Sequence, residues 1–463
     1  MLYARWTMFS LIALLGFSFA ACEFPVDPPA KPHIIMLYVD DMGIGDLSYL
    51  GSDFAQTPNI DRMAAAGKIF TQYYTNSPVC SPSRVALTTG MYPLRWDINT
   101  FLSGKKHNDK YDQSGFLDPA APSMARSLKA AGYRTAHFGK WHMGGGRKIQ
   151  APSIHAYGFD AYSSTWESPD PDPALTSTHW IWGPGDEIQR WNRTGYFVNK
   201  TLNFLSRHAD QPCFINLWPD DVHSPWVHDE ESQSAYLGNK QLGFTQENLV
   251  PVIEELDLQI GRLLAGLDSL GITEETLILF TSDNGPGPTF GHARTVGLRG
   301  SKNSLYEGGI NMPMIVHWPG TVQAGQIDSS TVWTAVDLLP TLAGLVGAPL
   351  DIPQQLDGMD LSSVLIGEGK HEEPRAIFWE YGRFNNRHHP SDTTDLAPDL
   401  AMRWGNWKAL THFEGDSVEL YRLDLDPEER NGLSHAYPAL ADSLKQAMRD
   451  WFETAEESAV VAE

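Results

Sequence analysis

The sequence predicts an α/β fold: a large, mostly parallel central sheet sandwiched by helices, then a smaller C-terminal α+β domain with a short antiparallel sheet. Three observations predict it. Short apolar, β-rich runs recur and end in polar, chemically capable residues. Amphipathic helical stretches lie between those runs, as crossover connections require. After roughly residue 375 the pattern changes to short alternating segments separated by turns.

The N-terminus reads as a targeting segment. Arg5 supplies a positive charge, and the apolar run Met8–Ala21 ends in small residues before Cys22. It is too short for a convincing membrane span. The order Phe19-Ala20-Ala21-Cys22 resembles a bacterial lipobox, with Phe19 replacing the usual small aliphatic residue. Lipidation of Cys22 is the first reading and simple cleavage after the alanines the second. Residues 1–22 are therefore assigned to a lipoprotein-type signal peptide, and 23–32, rich in Pro and acid, to a tether. The protein is expected to be exported to a bacterial envelope, either periplasmic or a lipoprotein of the outer membrane or cell surface. Its only link to a membrane would be a lipid on Cys22.

Residues 33–375 are expected to form the large domain. Ile34–Val39 runs into Asp40-Asp41, and Tyr133–Phe138 into Gly139-Lys140-Trp141-His142. Phe214–Trp218 leads toward His223, and Thr276–Thr281 into Ser282-Asp283-Asn284-Gly285. Helices are predicted over Asn59–Ala66, Ser123–Ala131 and Val252–Leu270, the last capped by Gly271. In such folds ligands bind beyond the carboxyl ends of the strands, where scattered polar residues can converge. Over 376–463, Met402–Leu410 and Val418–Leu423 read as antiparallel strands and Tyr437–Ala455 as a closing amphipathic helix.

A formal net charge of −23 excludes nucleic acid and anionic lipid as partners drawn by the general field. An anionic substrate would need a local basic pocket inside an acidic shell. With only three cysteines, no disulfide framework is expected. Cys213 lies in an apolar run and reads as a buried, inert thiol, whereas Cys80 sits in a Pro/Ser-rich segment that is an odd place for a structural one. The 15 Trp and 16 Tyr suit a carbohydrate cleft, although core packing accounts for most of them.

Asp40, Asp41, Asp283 and Asn284 offer hard oxygen donors from two strand ends, a set suited to Ca²⁺ or Mg²⁺ and to calcium where the arrangement is irregular. Taken singly, each pair reads equally well as a turn. Arg84, Lys140, His142, His223 and Lys302 are candidates for a cationic cluster facing that metal.

These residues lie in motifs that resemble a known family. Cys80-Ser81-Pro82-Ser83-Arg84 is similar to the Cys-x-Pro-x-Arg signature of the type I, formylglycine-dependent sulfatases. Gly132–His142 is similar to that family's second signature. Asp40-Asp41, Ser282-Asp283-Asn284-Gly285, Leu298-Arg299-Gly300-Ser301-Lys302 and Tyr306-Glu307-Gly308-Gly309 match its other landmarks in order, and the likeness extends to Leu433. The resemblance implies an alkaline-phosphatase-like fold and a sulfuric ester hydrolase. It also implies that a maturation enzyme oxidises Cys80 to 3-oxoalanine (formylglycine), whose hydrate attacks sulfur. By the same resemblance, calcium is held by Asp40, Asp41, Asp283, Asn284 and the oxidised Cys80 itself. Arg84 and Lys140 would stabilise the nucleophile while Lys302 and His223 grip the sulfate. His223 would protonate the leaving oxygen, and His142 would take a proton so that sulfate is expelled.

The expected substrate is a sulfated polysaccharide or oligosaccharide. His292, Arg294 and Arg299, just beyond Asp283-Asn284, are predicted to contact a second anionic group, with Arg383, Arg387, His388 and His389 a weaker possibility. Trp166, His179, Trp180, Trp182 and Trp191 could form a sugar-stacking rim or a packed insertion. Two alternatives are a phosphoester or phosphonate hydrolase of the same superfamily and a non-catalytic glycan-binding lipoprotein. The pairing of Lys140 with His142, together with Lys302, disfavours the first, and the complete residue set disfavours the second.

Overall fold

Strand β1 (His33–Val39), every residue of it buried, is the spine of the molecule. The computed structural model describes residues 31–146, 150–175, 186–350, 355–371, 373–382 and 393–462. The further strands of the main sheet are β2 (Lys68–Tyr74), β3 (Arg134–Gly139), β4 (Ala161–Ser164), β5 (Cys213–Trp218), β6 (Thr276–Ser282), β7 (Asn311–His317), β8 (Gln326–Asp328) and β9 (Trp333–Thr334). Their order is β4-β3-β5-β1-β6-β7-β2-β8, with β9 paired to β2. Strands β4, β3, β5, β1 and β6 are mutually parallel. Only β7 runs against its neighbours.

Alternation along β1 divides the core in two. Ile34, Met36 and Tyr38 pack on one face with Val85 and Leu87 of the Cys80–Thr89 helix, Leu128 of Met124–Ala130 and Leu342 of Leu338–Val346. Ile35, Leu37 and Val39 pack on the other with Ile60 of Pro58–Ala65, Phe197 of Arg193–Arg207 and Ile253 of Gln246–Leu270. A parallel strand covered on both faces must be apolar at every position, which is why these strands were legible as continuous runs.

Two local features depart from expectation. The helix expected from Val252 begins at Gln246 and continues through Pro251, because Leu249 is buried with the rest of its apolar face. The Pro/Ser-rich segment around Cys80 is itself a helix, Cys80–Thr89, entirely buried. Pro82 falls in its first turn, where a missing N–H costs no internal bond.

A second sheet, β10 (Ala376–Glu380), β11 (Leu400–Trp404), β12 (Trp407–Thr411) and β13 (Val418–Arg422), is antiparallel in that order. The closing helix Pro438–Glu457 covers one face through Ala441, Leu444 and Met448. The other face, with Ile377, Trp379, Leu410 and Tyr421, packs on Tyr74, Val79, Cys80, Leu305 and Tyr306. The second sheet thus supports Cys80 from behind, and from Lys31 onward the chain is one compact unit.

Candidate active site

The register that joins β1 to its neighbours brings the predicted residues together. Val39 lies opposite Ser282 and Leu37 opposite Leu217, while Gly139 lies opposite Trp218. Residues leaving the carboxyl ends of β1, β3, β5 and β6 therefore emerge side by side: Asp40-Asp41, Lys140–His142, Asp220–His223 and Asp283-Asn284. Glycines allow the closest approaches. A Cβ on Gly139 would lie 1.8 Å from the Trp218 carbonyl oxygen, and one on Gly285 would lie 2.1 Å from that of Gly308. The second contact requires glycine where Asp283-Asn284-Gly285 packs against Glu307-Gly308-Gly309.

Every carboxylate in the cluster has a cationic partner. Arg84 donates from Nε and NH2 to Asp283 Oδ2 at 3.1 and 2.6 Å, and from NH1 to the Lys140 carbonyl at 2.8 Å. Lys140 Nζ lies 2.7 Å from Asp40 Oδ2. Lys302 Nζ lies 2.7 and 2.8 Å from the two Asp41 oxygens, and His223 Nε2 3.6 Å from Asp41 Oδ2. Burial pushes Asp40 upward, but Lys140, His223, Arg84 and Lys302 together hold it well below the usual carboxylate range. Asp283 behaves oppositely. Burial, with Asp40 and Asp41 nearby, raises it well above that range despite Arg84.

The donor set fits a hard divalent cation. Asp40 Oδ1 and Asn284 Oδ1 are buried without a hydrogen-bond partner, and orphaned buried oxygens of this kind are uncommon and costly. Asn284 Nδ2 donates to Asp41 Oδ1 at 2.7 Å, so its amide oxygen is the atom left for a ligand. Asp40, Asp41 and His223 also have donor atoms within 4.8 Å of one another. The oxygen atoms of this set suit a hard divalent ion, whereas an imidazole suits transition metals better. Three carboxylates set against Arg84, Lys140 and Lys302 leave little net charge, so a divalent ion would supply the excess that attracts an anion.

Cys80, 2% exposed, stands at the start of its helix and lines a cavity of about 320 Å³. His142, Trp166, Glu167, His223 and Lys302 line the same cavity. His142 sits at φ 54°, a strained value for a side chain with Cβ, and its Nε2 lies 2.9 Å from the Leu102 carbonyl. A carbonyl only accepts, so Nε2 carries the proton and Nδ1, buried and unpartnered, keeps its lone pair. Burial and Lys140 push His142 down to about 3. Burial and Lys302 push His223 down to about 4 against the pull of Asp41.

The residues predicted to contact substrate have partners within the protein. Arg294 is 1% exposed and is bonded to Asp46 at 2.8 and 2.7 Å and to the Asp41 carbonyl at 3.0 Å. It braces the Asp40–Asp46 segment and does not face the cavity. Arg299 stacks 3.7 Å above the Tyr306 ring and donates to the carbonyls of Thr394 and Glu429. His292 pairs with Asp395 at 3.1 Å. Arg299 and His292 thus tie this loop to the C-terminal segment, because long-range acceptors there satisfy them. Of the aromatic rim, Trp166 lines the cavity and Trp191 does not. His179, Trp180 and Trp182, the group Arg383, Arg387, His388 and His389, and Cys22 with its leader lie outside the described residues. Phe101, Glu167 and Asn303 on the cavity wall were missed, although Glu167 and Asn303 adjoin Trp166 and Lys302 in sequence.

Comparison with known proteins agrees with this geometry. The chain matches the family model described as Sulfatase over residues 32–348, and that for N-sulphoglucosamine sulphohydrolase, C-terminal, over 300–454. It is 28% identical to N-acetylgalactosamine-6-O-sulfatase of Bacteroides thetaiotaomicron, spanning 90% of this chain and 92% of that protein. It is 30% identical to arylsulfatase A of Homo sapiens, spanning 90% and 86%. A solved chain from work on the metabolism of multiple glycosaminoglycans by Bacteroides thetaiotaomicron superposes with a TM-score of 0.73 at 26% identity, covering 92% of this chain and 100% of that one.

Proposed function

The chain belongs to the sulfatase family and is a sulfuric ester hydrolase, and on that premise we propose that it desulfates a polysaccharide or oligosaccharide with oxidised Cys80 as nucleophile beside a bound calcium ion. The observation that carries the reading is that Cys80, His142, His223 and Lys302 line one cavity beside a buried carboxylate cluster. Relatives that act on N-acetylgalactosamine 6-sulfate support a sulfated sugar.

Oxidation of Cys80 to formylglycine supplies a hydrated aldehyde, with one hydroxyl to attack sulfur and a second through which sulfate can be eliminated. Asp40, Asp41, Asp283, Asn284 and residue 80 would hold calcium, which when bound would supply Lewis-acid polarisation and a template. All else is done by the chain's own side chains. Arg84 and Lys140, anchored on Asp283 and Asp40, concentrate positive charge beside residue 80 and stabilise its ionised oxygen. Lys302 and His223 hold the sulfate. An anion seated between them favours the protonated imidazole, so His223 can give the Nε2 proton to the leaving oxygen. His142 is kept neutral by burial and takes a proton at Nδ1 when sulfate departs.

The leader supports export to a bacterial envelope with a lipid on Cys22, and maturation by a formylglycine-generating enzyme. Loss of acyl labelling in Cys22→Ala would test the anchor. For the chemistry, matured protein should release sulfate from N-acetylgalactosamine 6-sulfate or another sulfated saccharide. Cys80→Ala should be folded and inactive. Turnover by that variant, or undiminished turnover after chelation of divalent ions, would remove the nucleophile or the metal from the reading.

A further inference from the structure

Between β5 and the cavity the chain passes through Asp220-Asp221-Val222-His223, whose third residue holds an unfavourable backbone conformation. Val222, a β-branched residue, sits at φ 35°, a left-handed value that persists only where its surroundings impose it. The imposing groups come from a distant stretch of sequence. Arg190, 2% exposed, opens the turn before the Arg193–Arg207 helix. Its NH2 donates to the carbonyl oxygens of Asp220 at 2.5 Å and His223 at 3.1 Å. Its NH1 lies 2.6 Å from Asp220 Oδ2 and 3.4 Å from Asp221 Oδ1. Arg193, fully buried, donates to Asp220 Oδ2 at 2.8 Å, and Thr194 Oγ1 donates to Asp221 Oδ2. Trp226 Nε1 holds the Val222 carbonyl at 2.7 Å.

The consequence is felt at the imidazole. His223 Nδ1 lies 2.7 Å from the Ser224 carbonyl, which only accepts, so Nδ1 carries a proton and Nε2 is the atom turned toward Asp41 and the cavity. That tautomer requires the His223–Ser224 backbone to stay where the Arg190 fork pins it. A planar guanidinium can bind two carbonyls and a carboxylate together; a lysine ammonium on the same site offers no fixed fork.

We propose that Arg190 is a positioning residue that aims His223 Nε2 at the leaving oxygen, an inference that rests on His223 being the acid of the reaction. The hydrogen bonds and ion pairs of Arg190 go to Asp220, Asp221 and the His223 carbonyl, and none goes to Asp40, Asp41, Asp283 or Asn284. Its removal should therefore impair proton delivery selectively, and the loss should grow as the leaving group becomes more basic.

The test compares 4-nitrophenyl sulfate, whose phenolate leaves readily without a proton, with phenyl sulfate, whose phenolate does not. In matured enzyme, His223→Ala should lower kcat on phenyl sulfate by about 100-fold or more and affect the nitrophenyl ester much less. Arg190→Met should reproduce that selectivity at roughly tenfold or more, with KM for the nitrophenyl ester little changed. Arg190→Lys, the variant less disturbing to the buried acids, should recover part of the loss, and Arg190→Met added to His223→Ala should cost little further. Equal losses on both esters, or none, in folded Arg190 variants, while His223→Ala remains selective, would overturn the positioning role. If His223→Ala itself shows no selectivity, the acid assignment fails first and the inference falls with it.

Discussion

Replacing Arg84 with Met should expose how the active site carries its charge. Both Arg84 and Asp283 have fully buried side chains, and two of the guanidinium's hydrogen bonds end on one Asp283 oxygen. Removing Arg84 leaves the buried Asp283, already pushed upward by burial, either to stay ionised without a counter-charge or to take up a proton, at a cost of about 3–5 kcal/mol. Screening gives no discount at zero exposure. Calcium should return part of the loss, because it offers the same carboxylate another counter-charge. At 100-fold over its Kd, a ligand specific to the folded state contributes about 2.7 kcal/mol, and the variant should gain at least as much as the wild type. The assay is urea unfolding followed by tryptophan fluorescence, with excess chelator and then with calcium. Arg84→Met combined with Asp283→Asn should be more stable than Arg84→Met alone without metal, since the unpaired charge has gone. If the single variant lies within about 1 kcal/mol of wild type, or the double variant is no better, the cost does not come from an orphaned carboxylate and the charge account is wrong.

Three other outcomes can be checked directly. Arg294→Ala should destabilise the protein by about 3–5 kcal/mol by stranding the buried Asp46, while KM for a sulfated saccharide stays within about twofold; a tenfold rise in KM at unchanged stability would return Arg294 to the substrate. Trp166→Ala should raise KM for a saccharide sulfate about tenfold, equivalent to about 1.4 kcal/mol, with a smaller effect on an aryl sulfate; equal changes on both would deny it a sugar-specific role. Glu429 shares Lys408 with Glu307, and burial raises it from 4.5 to about 7. Its folded form holds a proton more tightly than the unfolded chain, so its stabilising contribution is complete below about 4.5 and is lost as pH rises through about 7. Glu429→Gln should remove this loss, of the order of 3 kcal/mol, and flatten the wild-type decline over that window in pH-dependent unfolding; an unchanged slope would mean that Glu429 does not titrate there.

The C-terminal sheet has a function in this architecture beyond closing the chain. Trp379 Nε1 donates to the Thr75 carbonyl at 2.7 Å, Thr75 Oγ1 donates to the Asp283 carbonyl at 2.7 Å, and Tyr381 donates to Asn303 on the cavity wall at 2.8 Å. Bonds of this kind, two of them fully buried, transmit the position of the second sheet to the first. The part of the chain after residue 375 therefore helps set the floor and wall around Cys80.

By itself, the amino-acid order determined the α/β class, the central strands and the residues that meet at their carboxyl ends. Those features are local: a strand buried on both faces must be apolar throughout, and Asp40-Asp41, Lys140, His142, Asp283 and Asn284 follow such strands directly. The helical state of Cys80–Thr89 was hidden because Pro82 and the serines also suit a turn, and only packing against the sheet selects the helix. Tertiary structure alone decided the partners. Arg84 meets Asp283, Arg294 meets Asp46 and His292 meets Asp395 across separations of 199, 248 and 103 residues. An arginine carries the same charge whether it faces substrate or a buried acid; which of these it does depends on the acceptors and on the water left beside it once the chain has closed.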